Sequence, residues 1–167
     1  MFKLEALDTS HDRTGFDCGS EPLNRFLREV ARMHMERGIS QTFILVDAQA
    51  KPPKAIHGFF SLSACEAESA HLPARLARKY PSRIPAIRLG RLAISLTQQG
   101  KGLGTDLMSM ALVKTAETAS RVGVAGLFVD AKDDSLTQFY ARFGFESLPD
   151  NPLTMFLPIQ KIIGGVI

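Results

Sequence analysis

Cysteine is scarce in this chain: Cys18 and Cys65 are the only two, far apart, with no Cys-x-x-Cys or Cys/His spacing. That scarcity points away from a disulfide framework or a metal site, so both thiols are expected to be reduced and part-buried. No apolar run approaches the ~20 residues of a membrane span. The opening Met-Phe-Lys-Leu-Glu lacks the apolar core and cleavage site of a signal peptide, which makes the cytoplasm the expected compartment. No repeat, low-complexity tract or linker divides the 167 residues, so a single domain over 1–167 is the simplest organisation. Acid is missing altogether from 71–91, where Arg75, Arg78, Lys79, Arg83, Arg88 and Arg91 stand without one Asp or Glu. Such a stretch suits docking of a polyanion, nucleic acid first among them, although the net charge of +3 is too small to name a partner.

What is present is the make-up of a folded globular protein, with 45% hydrophobic and 22% charged residues. Residues 2–7 alternate as a strand, and 11–20 read as a polar loop. Ser20 can cap a helix with Pro22 in its first turn and an apolar stripe at Leu23, Phe26, Leu27, Val30 and Met33, ending near Gly38. Strands are expected over 42–46 and 56–64, with a Lys-Pro-Pro-Lys turn between them. His57, a lone strand histidine, is assigned no chemistry. A short helix is expected over 73–80 and a strand from Pro85. Residues 126–131 read as a buried strand. Asp134 can cap a helix through Leu136, Phe139 and Tyr140 to Gly144, and a closing antiparallel pair surrounds Pro149-Asp-Asn-Pro. The class is α/β (α+β), a mixed, mainly antiparallel sheet flanked by helices.

The chemistry concentrates in one stretch. Arg88 to Leu96 reads as a strand and 98–104 as a glycine-rich turn. From Leu103 the apolar spacing becomes helical, until Gly123. Strand, glycine turn and helix converge main-chain N–H groups at a helix N-terminus, which is an anion site. Gly100, Gly102 and Gly104 keep side chains away, so a phosphate can approach the main chain. The spacing fails the dinucleotide fingerprint by one residue, and Lys101 is followed by Gly102 rather than the Ser or Thr of a P-loop.

The stretch does fit Gln99-x-x-Gly102-x-Gly104, which resembles the pyrophosphate loop of the GNAT N-acetyltransferases. Further on, Phe139-Tyr140-Ala-Arg-Phe-Gly144-Phe145 resembles the Phe-Tyr-x-x-x-Gly-Phe segment that ends the same family's catalytic core. Phe16-Asp-Cys-Gly followed by Leu23-Asn-x-Phe-Leu is similar to the opening of one branch, the toxins of toxin–antitoxin pairs. The resemblance implies a single N-acetyltransferase domain over the whole chain, acetyl-CoA as co-substrate and no metal.

Position by position, it implies that main-chain N–H groups of Leu92, Ala93 and Ile94 polarise the thioester carbonyl, Ile94 foremost. Gln99, Gly100, Lys101, Gly102, Leu103, Gly104 and Thr105 would hold the pyrophosphate. Tyr140 stands where the family places the tyrosine that protonates the coenzyme A thiolate, and a phenol with pKa about 10 is protonated at neutral pH. Asp133 takes the place of an asparagine that contacts coenzyme A. Ser95 occupies a position where related sequences carry Asp, so no side chain is nominated as base. Asp17 and Cys18 are read as structural. An acceptor of low pKa, such as the α-amino group of an aminoacyl ester, needs no side-chain base.

The toxin-like opening and the basic stretch together imply acetylation of aminoacyl-tRNA with a block of translation. Arg75, Arg78, Lys79, Arg83, Arg88 and Arg91 are the candidate tRNA contacts, Arg91 first. The implied partners are a small DNA-binding antitoxin of ribbon-helix-helix type and a second copy in a homodimer, with no membrane. The alternatives are an N-acetyltransferase of a small amine, antibiotic or protein N-terminus, and a coenzyme A-binding module without turnover.

Overall fold

Alternation at the N-terminus makes strand β1, Phe2–Ala6, in the computed structural model, which describes residues 1–166. The segment read as a polar loop contains a two-residue strand, β2, His11–Asp12, parallel to β4, Lys54–Ala55. The reason is a satisfied buried histidine. The main-chain N–H of Asp8 donates to His11 Nδ1 (3.1 Å), so Nε2 carries the proton and donates to Glu5 (2.9 Å). Lys54 also reaches Glu5 at 2.8 Å.

The first helix is not the single run that its spacing suggests. It comprises α1, Glu21–Arg25, a π-helical turn, Phe26–Val30, and α2, Ala31–Glu36. The Ala31 N–H reaches the Phe26 carbonyl, one residue beyond the α-helical partner. The extra residue rotates the apolar stripe, so Ala31 and Met35 face the core in place of Met33. Ser20 is the cap residue, but its side chain makes no capping bond.

Strand β3 is Gln41–Asp47, β5 is Gly58–Glu68 and β6 is Arg83–Ile94. Between β5 and β6 lies α3, Ala74–Ala77. Then come α4, Leu103–Ala119; β7, Gly126–Asp130; α5, Asp134–Ala141; β8, Glu146–Leu148; β9, Asn151–Pro158; and α6, Ile159–Val166. The seven-stranded sheet has the order β1-β3-β5-β6-β7-β9-β8 and is mixed: β6 and β7 run parallel, while β1 and β3, β3 and β5, β7 and β9, and β8 and β9 run antiparallel. A parallel pair needs a crossover, and α4 supplies it. Strand β6 starts before Pro85 and stops at Ile94, after which Leu96–Gln98 forms a 3-10 turn. Helix α4 stops at Ala119, short of Gly123, because N–H groups of Ser120–Val122 close a turn on Ala116 and Thr118.

Two compact units alternate along the chain. The first comprises Met1–Ser63 with Gly90–Ala111. Its core gathers Phe26, Leu27, Ile44, Val46, Ile56, Phe59 and Ala93. Phe59 lies edge-on to Phe16 and stacked with Phe26, and a fully buried side chain of that size contributes roughly 3 kcal/mol. The second comprises Ala64–Leu89 and the residues from Leu112 onward. Leu72, Leu76, Ile84, Ala86, Phe128 and Phe156 form its core, with Tyr80 edge-on to Phe156. Among the described residues no helix is long and apolar enough to cross a membrane.

Candidate active site

In the first unit, β6 delivers Leu92, Ala93 and Ile94 to the edge of the glycine turn, Ala93 buried and its neighbours partly so. Gly58 lets β5 begin against this strand end. A Cβ there would lie 2.8 Å from Ile94 Cδ1 and 3.0 Å from the Ala93 carbonyl oxygen, closer than packing allows. Ser95 N–H donates to the His57 carbonyl at 2.9 Å, which fixes the strand exit.

Gly100 and Gly102 take φ of 78° and 82°, the left-handed region that favours glycine. Nothing lies within 4 Å of where a Cβ would stand on Gly100, Gly102 or Gly104, so the main chain there is open on the side where side chains normally crowd it. Helix α4 begins at Leu103, and the N–H groups of its first turn have no carbonyl partner within the helix. A run of bare glycine main chain leading into such a helix head forms a cradle for a pyrophosphate. The residues present therefore fit the phosphate portion of acetyl-CoA, with Gly100 to Thr105 as main-chain donors and the exposed Lys101 beside them. The Gln99 side chain turns away from the cradle and donates to the Ile94 and Cys18 carbonyls.

In the second unit, Asp133 rather than Asp134 caps α5. Its carboxylate accepts the Leu136 N–H at 3.1 Å and the Ser135 hydroxyl at 2.6 Å, and these bonds hold its pKa below the ordinary carboxylate value. Tyr140 sits on α5 with its ring edge-on to Phe139 and Phe145, 7% exposed. Its hydroxyl has no protein partner among the described residues and is not sealed from solvent. Burial, and secondarily the charge of Asp130, raise its pKa, which keeps the proton in place for donation.

The basic stretch is less free than its sequence suggests. Arg75 forms a forked pair with Glu146, one arm at 2.8 Å. Arg83 pairs with Glu66, and Arg88 with Asp130. Asp130 also accepts the Thr154 hydroxyl at 2.8 Å. Arg78 and Lys79 form no salt bridge among the described residues. Lys79 lines a cleft of about 590 Å³ with Arg75, Tyr80 and Lys161, the last a cation outside the basic stretch. Arg91, in the first unit, also lacks an acidic partner among the described residues and lies over the Phe26 ring. Burial lowers its pKa, although a guanidinium stays charged at neutral pH. Both cysteines are free, and burial raises their pKa values, so neither is an activated nucleophile.

An open main-chain anion cradle following a sheet strand, and a protonated phenol with no role in packing its hydroxyl, are parts that acyl transfer from a coenzyme A thioester requires. The acetyltransferase (GNAT) domain matches residues 18–155, and the chain belongs to that family. It is 30% identical over 151 residues to the tRNA-acetylating toxin of Mycobacterium tuberculosis (strain ATCC 25618 / H37Rv), covering 90% of this chain and 88% of that one. It is similar to AtaT complexed with acetyl-methionyl-tRNAfMet, at 31% identity and a TM-score of 0.90 over 100% of both chains. It is also similar to a tyrosine-to-phenylalanine mutant of the AtaT toxin bound to the C-terminus of the antitoxin AtaR and acetyl-CoA. Identity there is 30% and the TM-score 0.81, over 96% of this chain and 95% of that one.

Proposed function

We propose that this chain is a toxin that transfers the acetyl group of acetyl-CoA to the α-amino group of an aminoacyl-tRNA and so blocks translation. The observation that carries the reaction is the open glycine cradle at the head of α4. Similarity over the full length to AtaT with its acetylated tRNA supports the acceptor. Acetyl-CoA, when bound, supplies an activated acyl group on a thiol leaving group. Main-chain N–H groups from Gly100 to Thr105 hold the pyrophosphate, and those of Leu92 to Ile94 draw electron density from the thioester carbonyl. Tyr140 gives its proton to the departing thiolate. The α-amine of an aminoacyl ester is largely neutral near pH 8, so it attacks without a dedicated base. Arg78, Lys79 and Arg91 offer uncompensated charge to the tRNA backbone.

The whole of 1–167 acts as one N-acetyltransferase domain in the cytoplasm. A cognate antitoxin, a small DNA-binding protein of ribbon-helix-helix type, neutralises it, and a second copy can join it as a homodimer. The test is incubation with labelled acetyl-CoA and total charged tRNA. Label on the α-amine of an aminoacyl ester, together with growth arrest on expression, is the expected result. Label confined to free amines or protein N-termini overturns the acceptor assignment.

A further inference from the structure

The Phe16-Asp-Cys-Gly segment and the first helix take no part in the chemistry above, yet hydrogen bonds join them to the root of the cradle. Gln99 immediately precedes Gly100 and turns its side-chain amide back toward the strand. Its Nε2 donates to the Ile94 carbonyl at 2.9 Å and to the Cys18 carbonyl at 3.0 Å, which uses both hydrogens. The adjacent peptide is held as well, because Leu96 N–H donates to the Asp17 carbonyl at 2.8 Å. From the other side, the buried Asn24 of α1 grips the same two residues. Its Nδ2 donates to Asp17 Oδ1 at 2.9 Å, and its Oδ1 accepts the Cys18 N–H at 2.9 Å. Gly19 N–H gives Asp17 Oδ1 a second bond at 2.8 Å. The links run continuously from α1, through Asp17–Cys18 and Gln99, to the end of β6.

The cradle itself has little to hold it. Its glycines carry no side chains, and two of them sit at positive φ. Gln99 is the last residue before it whose side chain is anchored. Glycine loses more conformational freedom on ordering than any other residue, so a loop left loose would meet that cost when the ligand binds. Fixing the root in advance lowers it.

We infer that Gln99 and Asn24 are positioning residues that preset the glycine cradle through the Asp17–Cys18 peptide, so that the N-terminal motif sets coenzyme affinity from outside the cradle. This rests on the reading of Gly100–Thr105 as the pyrophosphate site.

The test uses Gln99→Met, which keeps side-chain length and removes both donors, together with Asn24→Ala and the double variant. Each is read by acetyl-CoA calorimetry, by KM and kcat, and by thermal unfolding. Gln99→Met weakens acetyl-CoA binding about tenfold and raises KM by the same factor, because the cost of ordering the freed loop then falls on binding. Its kcat stays near the parent's, and its unfolding temperature falls by no more than the loss of two hydrogen bonds gives. The double variant loses no more than the worse single one, because both residues act through one peptide. Parent-like affinity in folded Gln99→Met, or a loss of kcat at unchanged KM, overturns the inference and leaves the cradle reading intact. If Asn24→Ala does not fold, Gln99→Met decides alone, with backbone order parameters of Gly100–Gly104 as its second measure. They fall if the inference holds, and parent-like values overturn it. Failure of the parent protein to bind acetyl-CoA overturns the cradle reading, and the inference falls with it.

Discussion

The guanidinium of Arg91 lies 3.7 Å from the centroid of the Phe26 ring, on the strand that leads to the proposed thioester-polarising segment. An aromatic face steadies a cation without neutralising it, so the charge remains available to an incoming phosphate. Arg91→Glu is expected to cut aminoacyl-tRNA acetylation at least tenfold and to flatten its salt dependence by about one unit of slope, with acetyl-CoA binding unchanged. Initial rates across a salt series check this, and a parent-like slope would remove Arg91 from the acceptor site. Arg88→Glu is a different experiment, because it sets a second carboxylate against Asp130 and is expected to lower the unfolding temperature.

The glycines of the cradle should not respond alike. Gly104 lies within α4 and has open space around it, so Gly104→Val is expected to abolish acetyl-CoA binding at small cost in stability. Gly102, at φ 82°, cannot take a side chain without strain. Gly102→Val is expected to lose binding and about 1–2 kcal/mol of stability as well. Calorimetry paired with thermal unfolding separates the two outcomes, and retained affinity in both variants would reduce the loop to a turn.

Tyr140→Phe removes one hydroxyl with no protein partner among the described residues and preserves the ring contacts with Phe139 and Phe145. Acetyl-CoA binding is expected to persist while turnover falls on the order of 10²-fold. Because burial raises the phenol pKa in the folded protein, the proton is retained across the neutral range and lost only above the ordinary tyrosine value. The alkaline limb of kcat should therefore lie above pH 10 in the parent and be absent from Tyr140→Phe. A variant turning over at the parent rate would assign thiolate protonation to solvent.

Glu5 gathers Lys54, Lys3 and His11, and these partners, Lys54 foremost, pull its pKa down to about 2. A lowered folded-state pKa adds stability above the unfolded value of 4.5, and that stability disappears as pH falls toward about 2. Glu5→Gln is expected to cost about 1 kcal/mol at neutral pH, the scale of a partly screened ion pair, and to match the parent at the acid end. Urea unfolding at several pH values checks it, and a difference that is constant with pH would deny the carboxylate this role.

The local geometry of the candidate site was legible in the sequence. Three closely spaced glycines before a helical stripe announced the cradle, and the run from Phe139 to Phe145 located the phenol. The free charge of the basic stretch was not legible, because acid missing from a stretch of sequence is not acid missing from its surroundings. Glu146 approaches Arg75 from β8, Glu66 approaches Arg83 from β5, and Asp130 approaches Arg88 from β7. The π turn was hidden because its apolar residues still fit helical spacing until one extra residue rotates those that follow. Asp133 and Asp134 both suited a cap, and only the extended backbone at Asp133, φ −157°, decides between them. Asn24 and Gln99 gave no signal as partners, since amides meeting across a fold have no spacing to recognise.

The chain has no tryptophan, and its only tyrosines, Tyr80 and Tyr140, both belong to the unit formed by Ala64–Leu89 and the residues from Leu112 onward. Tyrosine emission therefore watches that unit alone. The other unit holds the cradle and is built around phenylalanines such as Phe16, Phe26 and Phe59, so it is dark to the same light. An unfolding curve recorded by emission can be smooth and complete while the unit that holds the glycine turn goes unobserved, and circular dichroism of the whole chain has to accompany it.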